Sequence, residues 1–276
     1  MDGPDSVLGV DIIHKTTRGY NQECWIAHSI LFGFDYHDVL IMRHKNEIGP
    51  WIYSQIAFYA RQWGIIIQKI QIDGETSLTQ AFFDKIAEDG FDWLSTAPDS
   101  WEQHGRTDRA GGLLSKMQRT LRIESQLPEN LHPELWSSAA YLLNRLPLES
   151  TGTSPLQMIN EWRGKSDEEA KPQITHIKAL DRQVYLMHKK VPKGRKSLPR
   201  AHIGYLTGFD ATNIYHVWVP HLKRIFRARN VQIDETVKFD PANPHLDPLM
   251  ITEVDDLIRL IEIPDLPDEA QTDSNY

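Results

Sequence analysis

Residues 7–13 read VLGVDII, an apolar run of strand length with one carboxylate, Asp11, in its interior. A carboxylate inside an apolar strand is costly to bury without a charge partner, so Asp11 calls for a reason. Working outward, residues 24–32 (CWIAHSILF) make a second such run after the turn-like residues 16–22, and residues 39–42 make a shorter third. The three read as consecutive antiparallel strands. Residues 48–63 carry Ile48, Ile52, Ile56, Tyr59 and Trp63 at helical spacing, and Gly64 supplies the stop. Residues 65–72 (IIIQKIQI) are strongly β-branched and predict a buried strand, with Asp73 at its C-terminal end.

Further on, residues 82–87 predict a short helix and 91–94 a short strand, while 95–105, with Pro98 and Gly105, predict a loop. Residues 109–124 predict a long amphipathic helix whose stripe of Leu113, Leu114, Met117 and Leu121 belongs to core or dimer packing. Residues 133–144 predict another, with Trp136, Ala139, Ala140 and Leu143 on one side; Ser154 is an N-cap and Pro155 the first residue of a third. This order describes an α/β layer domain over residues 1–162. A Gly, Lys, Asp and Glu-rich linker (163–172) follows. Closely spaced short strands at 182–188, 202–209, 215–219, 224–228 and 230–233 then predict a small β-barrel over 173–240. Residues 241–276, rich in prolines and acids, predict a disordered tail.

The 276 residues are enough for a core that folds without staples, and the single cysteine, Cys24, excludes a disulfide framework and a four-cysteine zinc site. No run of about 18 apolar residues exists, and the opening MDGPDSVLGVD lacks the basic and apolar regions of a secretory leader. A net charge of −8 argues against nucleic-acid binding, but its distribution does not. Residues 1–162 hold 13 Lys+Arg against 21 Asp+Glu, residues 163–229 hold 15 against 5, and residues 230–276 hold 2 against 12. A basic block between acidic flanks is either a polyanion footprint or simply a solvated small domain.

Asp11 within the first strand, Asp73 at the end of the fourth and Asp108 at the start of the long helix form a candidate constellation. Adjacent central strands set Asp11 beside Asp73, and a helix crossing their ends brings a third acid. Three such carboxylates repel unless divalent cations neutralise them, and an all-oxygen site favours Mg²⁺ or Mn²⁺. Two metals about 3.5–4 Å apart serve in-line phosphoryl displacement. Spacing alone equally allows a strand-end acid, an Asp-Gly turn and a helix cap.

Residues 73–78 (DGETSL), 101–112 (WEQHGRTDRAGG), 127–133 (LPENLHP) and 139–147 (AAYLLNRLP) occur in that order. They resemble the integrase region of copia-type LTR retrotransposon polyproteins, fungal ones in particular. Residues 199–209 (PRAHIGYLTGF), 212–220 (TNIYHVWVP) and 227–235 (RARNVQIDE) are similar to the SH3-like barrel that follows that integrase. The resemblance spans about residues 7–240. It implies a ribonuclease-H-like mixed sheet flanked by helices, then the small SH3-like β-barrel, with Asp11, Asp73 and Asp108 as catalytic, metal-holding acids. The third acid is Asp where the family has Glu, one methylene shorter, so a backbone placed for Glu leaves it short of the metal; Glu75 and Glu102 are weaker substitutes. The region before Met42, FGFDYH at 32–37, matches only loosely.

The implied function is a polynucleotidyl transferase that joins element DNA to a target through a 3′-hydroxyl. Its partners are double-stranded DNA (element ends and target) and further copies of the chain, in the nucleus after a cytoplasmic virus-like-particle stage. No membrane or zinc partner is expected, and the 12 histidines read as scattered core or surface residues. Lys189, Lys190, Lys193, Arg195, Lys196 and Arg200, with Arg106 and Arg109, are the candidate phosphate contacts. Trp101 and His104 either stack on a displaced base or cover the core. Two rivals stand beside this function: an inactive relic that still binds nucleic acid, and an interaction remnant whose acidic tail binds a partner.

Overall fold

The computed structural model describes residues 7–72, 78–95, 101–187, 201–229 and 231–242. Strands β1 (Val7–His14), β2 (Trp25–Leu31) and β3 (Tyr36–Met42) run antiparallel, and β4 (Lys69–Ile72) and β5 (Asp92–Ser95) add parallel to β1 and to each other. The resulting order β3-β2-β1-β4-β5 places β1, with Asp11, at the centre of a mixed sheet. Central position explains the near-continuous apolar run: Leu8, Val10, Ile26, Ala27, Ile30, Ile70 and Ile72 are all buried.

Helices α1 (Ile48–Trp63), α2 (Gln80–Glu88), α3 (Trp101–Ser125), α4 (His132–Leu143) and α5 (Pro155–Trp162) complete the layers. Gly64 ends α1 at φ 71°, and the Ser154 hydroxyl accepts from the Gln157 backbone N–H to cap α5, both as expected. The apolar face of α4 (Trp136, Ala139, Ala140, Leu143) packs with Ile26 and Leu114.

Several expectations need correction. Only Lys69–Ile72 of the run 65–72 is strand. Ile65 and Ile67 are buried without a ladder while Ile66 is 64% exposed, so β-branching here served burial rather than pairing. The loop expected over 95–105 is helical from Trp101, and α3 runs on through Gly105, Gly111 and Gly112. Of these, Gly111 packs closely on Asp11, while a Cβ on Gly105 or Gly112 would meet open space. Asp108 therefore sits about two turns inside α3, neither at its start nor as its cap. Leu114 is buried, but Leu113, in the same supposed stripe, is 42% exposed. The linker contains a short helix, α6 (Asp167–Ala170), tied down where Asn160 Nδ2 donates to the Ala170 carbonyl at 2.9 Å.

The second sheet comprises β6 (Arg182–Met187), β7 (Ala201–Ala211), β8 (Ile214–Val219), β9 (Arg224–Ala228) and β10 (Val231–Lys238), all antiparallel in the order β10-β6-β7-β8-β9. Its core joins Val184, Tyr205, Leu206, Phe209 and Val217 to Leu127, Leu131, Leu135 and Tyr141 from the segment around α4. The two sheets thus pack separate hydrophobic clusters on α4, the first through Ile26 and the second through Leu135 and Tyr141. Residues 243–276, the bulk of the expected tail, lie outside the described residues.

Candidate functional site

Asp11 stands opposite His28 in the β1–β2 ladder, so their side chains share one face of the sheet. That face meets α3 closely. A side chain on Gly111 would bring its Cβ to 3.3 Å from Asp11 Oδ2 and 3.9 Å from His28 Nδ1. One on Gly9 would meet Thr107 Oγ1 at 2.7 Å. The glycines let helix and strand approach so that the Asp11 carboxylate lies against the helix backbone.

Asp108 is on α3 three residues before Gly111 and exposed to solvent. Asp73 lies outside the described residues. The last residue of β4, Ile72, is level with Val10 in the parallel ladder, next to Asp11 along the chain. Glu75 and the whole basic group Lys189, Lys190, Lys193, Arg195, Lys196 and Arg200 also lie outside the described residues. Among the described residues no cluster of three or more His, Cys, Asp or Glu has the arrangement of a metal site.

Arg106 and Arg109, the two candidate phosphate contacts on α3, have protein partners. Arg106 pairs with Asp35 at 3.0 Å, donates to the Phe32 carbonyl and lies 4.7 Å from the Phe32 ring centroid, stapling α3 to the β2–β3 turn. Arg109 Nε donates to the Gly105 carbonyl at 2.7 Å. The loosely matching segment 32–37 thus supplies the seat of Arg106. Trp101 and His104 fall in the opening turns of α3 rather than in a loop.

A buried polar chain beside Asp11 is absent from the sequence reading. His28 is fully buried and its Nε2 is 3.0 Å from His37 Nδ1. His37 is held through its backbone: its N–H donates to Asn144 Oδ1 at 2.8 Å, and Asn144 Nδ2 donates to its carbonyl at 2.6 Å. Burial, reinforced by the neighbouring His37, holds the His28 pKa down to about 3; burial also holds His37 down to about 4, against the Asp35 charge. Both imidazoles are therefore neutral at physiological pH. His28 Nδ1 and Thr107 Oγ1, both buried, have no hydrogen-bond partner among the described residues. The signal is present in the sequence: His28 is a polar residue in an apolar strand, as Asp11 is. Asn144 lay in the motif AAYLLNRLP, where its task depended on which strand edge α4 would reach.

Residues 184–247 match the retroviral polymerase SH3-like domain. They cover the second sheet from β6 onward, where closely spaced strands predicted a small barrel. Among solved structures, the catalytic core domain of BIV integrase is similar at 13% identity and a TM-score of 0.44, over 57% of this chain and 95% of that one. A chain of the simian T-cell lymphotropic virus intasome in complex with PP2A regulatory subunit B56 gamma is similar at 14% identity and a TM-score of 0.46, over 78% and 73%. The ribonuclease-H-like description of the first sheet stands on its own strand order and directions.

Proposed function

We propose that this chain is a retrotransposon integrase of the copia type, a polynucleotidyl transferase acting on double-stranded DNA. The observation that carries the reading is the Asp11 carboxylate at the centre of a ribonuclease-H-like sheet, pressed against α3, in a chain whose second sheet matches the retroviral polymerase SH3-like domain. In the proposed reaction the 3′-hydroxyl oxygen of element DNA forms a bond to a target phosphorus. The bond from that phosphorus to its own 3′-oxygen breaks, and the hydroxyl proton passes to water. Mg²⁺ or Mn²⁺ suits the hard carboxylate oxygens of Asp11, with Asp73 and Asp108 as the further ligands, and when bound supplies Lewis-acid stabilisation of the phosphoryl oxygens. The chain's own part is to hold Asp11 in a fixed place: β2 and β4 flank it and the Gly111 backbone covers it.

The basic block of 163–229 supplies phosphate contacts whose strength falls with salt. Self-association and a nuclear site of action complete the reading. Among the described residues no helix is long and apolar enough to cross a membrane.

Strand transfer on short labelled duplexes with Mn²⁺ tests the activity; no joined product at any metal concentration defeats it. A second reading, a DNA-binding relic without activity, is favoured by the exposure of Asp108 and its shorter reach relative to Glu. Asp108→Glu separates the two: recovered joining means that the rest of the site is intact, and silence favours the relic. For either reading, duplex affinity should drop steeply from low to moderate salt; constant affinity would point instead to the protein-interaction remnant.

A further inference from the structure

We propose that His28 is a positioning residue for Asp11, acting through its Nδ1 atom, and that His37 and Asn144 exist in this fold to aim it. The inference rests on the cation-site reading above and extends it to a residue outside the acidic set. Three observations carry it. Asp11 Oδ2 and His28 Nδ1 both lie within 4 Å of a single point, the place a Cβ on Gly111 would occupy, and their residues are direct ladder partners. The imidazole is fully buried, and its other nitrogen is fixed 3.0 Å from His37 Nδ1. His37 is in turn clamped at both backbone polar groups by the Asn144 amide. A buried ring nitrogen without a partner is expensive unless something else uses it. Here the carboxylate that the site depends on lies within the same 4 Å of the place a Cβ on Gly111 would occupy.

The two ring nitrogens make the idea testable, because Asn places a polar atom near the position of Nδ1 and Gln near that of Nε2. The full chain is titrated with Mn²⁺ by electron paramagnetic resonance, as wild type, Asp11→Asn, His28→Asn and His28→Gln, with a thermal melt of each. Asp11→Asn should abolish tight binding. His28→Gln, which reaches toward His37 but offers nothing near Asp11, should weaken binding about 10-fold or more, the loss typical when a group supporting a metal ligand is removed. His28→Asn should stay within about 3-fold of wild type. A merely structural role predicts the reverse order, with Gln the better replacement.

One measurement needs no variant of a buried residue. In the wild-type chain the ¹⁵N resonance of His28 Nδ1 should move on saturation with Mg²⁺, and should not move in Asp11→Asn. If Asp11→Asn loses the cation while the Nδ1 resonance stays still and His28→Gln binds as wild type, the role of His28 is overturned and the site stands. If Asp11→Asn binds as wild type does, or wild type binds no cation, the site reading falls and takes this inference with it.

Discussion

Asp38, on the edge strand β3, shows how one side chain ties the sheet to pH. Burial lifts its pKa from 3.8 to about 6, against hydrogen bonds from the Val39 N–H and Gln55 that favour the charged form. The folded chain therefore keeps a proton that the unfolded chain has already lost between about pH 4 and 6, and stability drains away as pH rises through that window. At pH 7 the deficit is up to about 3 kcal/mol, from the shift of roughly two pKa units. Asp38→Asn should raise stability at pH 7 by up to that amount and remove this slope, read by urea unfolding between pH 4 and 8. His28 and His37 act with the opposite sign. Their depressed values leave stability intact above about pH 6.5 and erode it as pH falls toward 4 and 3. Once Asp38 is replaced, the acid limb of the curve should stand alone. Gly111→Ala separates stability from function in another way. Alanine favours the helix by up to about 1 kcal/mol, yet its Cβ meets Asp11 Oδ2 at 3.3 Å. Melting temperature should hold or rise, while Mn²⁺ affinity falls several-fold.

At the scale of elements, α4 does more than fill the core. The β3 edge would otherwise leave its backbone groups unpaired, and Asn144 takes the place of a further strand at His37 by accepting from its N–H and donating to its carbonyl. Asn144→Ala strands both of these buried groups and should cost about 2–4 kcal/mol in chemical denaturation. Ser154→Ala at the head of α5 should cost only about 1 kcal/mol, the usual value of a lost cap. The α3 helix was harder to read in advance. Pro98 and Gly105 read as a loop in one dimension, so the expected helix begins at 109, eight residues after the start of α3. Only the packing of Gly111 on Asp11 explains why a glycine is tolerated there.

At the scale of the whole molecule, the second sheet is docked on α4 through a buried histidine. His216 lies between Glu134, bonded to its Nδ1, and Asp210, whose Oδ1 is 2.7 Å from its Nε2; Asp210 in turn meets Arg227 at 3.0 Å. The Ser138 hydroxyl donates to the Thr207 carbonyl at 3.1 Å, and Tyr141 stacks on Phe209. Burial works against a charge on His216, but the two carboxylates prevail and hold its pKa above the ordinary value. Its contribution is therefore fully present below about pH 6.5 and is lost as pH rises through the raised value. His216→Gln should lower stability at pH 6 by about 2–3 kcal/mol and abolish the difference between pH 6 and pH 9 that this group causes. Amide exchange in β7 and β8 locates the effect.

Patterns along the chain were enough to mark out the two sheets, the strand that carries Asp11, the stop at Gly64 and the cap at Ser154. Each of these depends on a residue and its near neighbours, through periodicity, backbone freedom or a local hydrogen bond. The folded chain alone decided that Asp108 lies inside a helix and faces solvent, that Arg106 is engaged by Asp35, and that His28 shares a corner with Asp11. It also decided that His216 joins the second sheet to α4, between Asp210 and Glu134, which are far from one another along the chain. Those facts depend on which surfaces meet when distant segments collapse together. No local pattern encodes a meeting between residues 28 and 111, or between 134 and 216, because the energy of each contact exists only after the layers have packed.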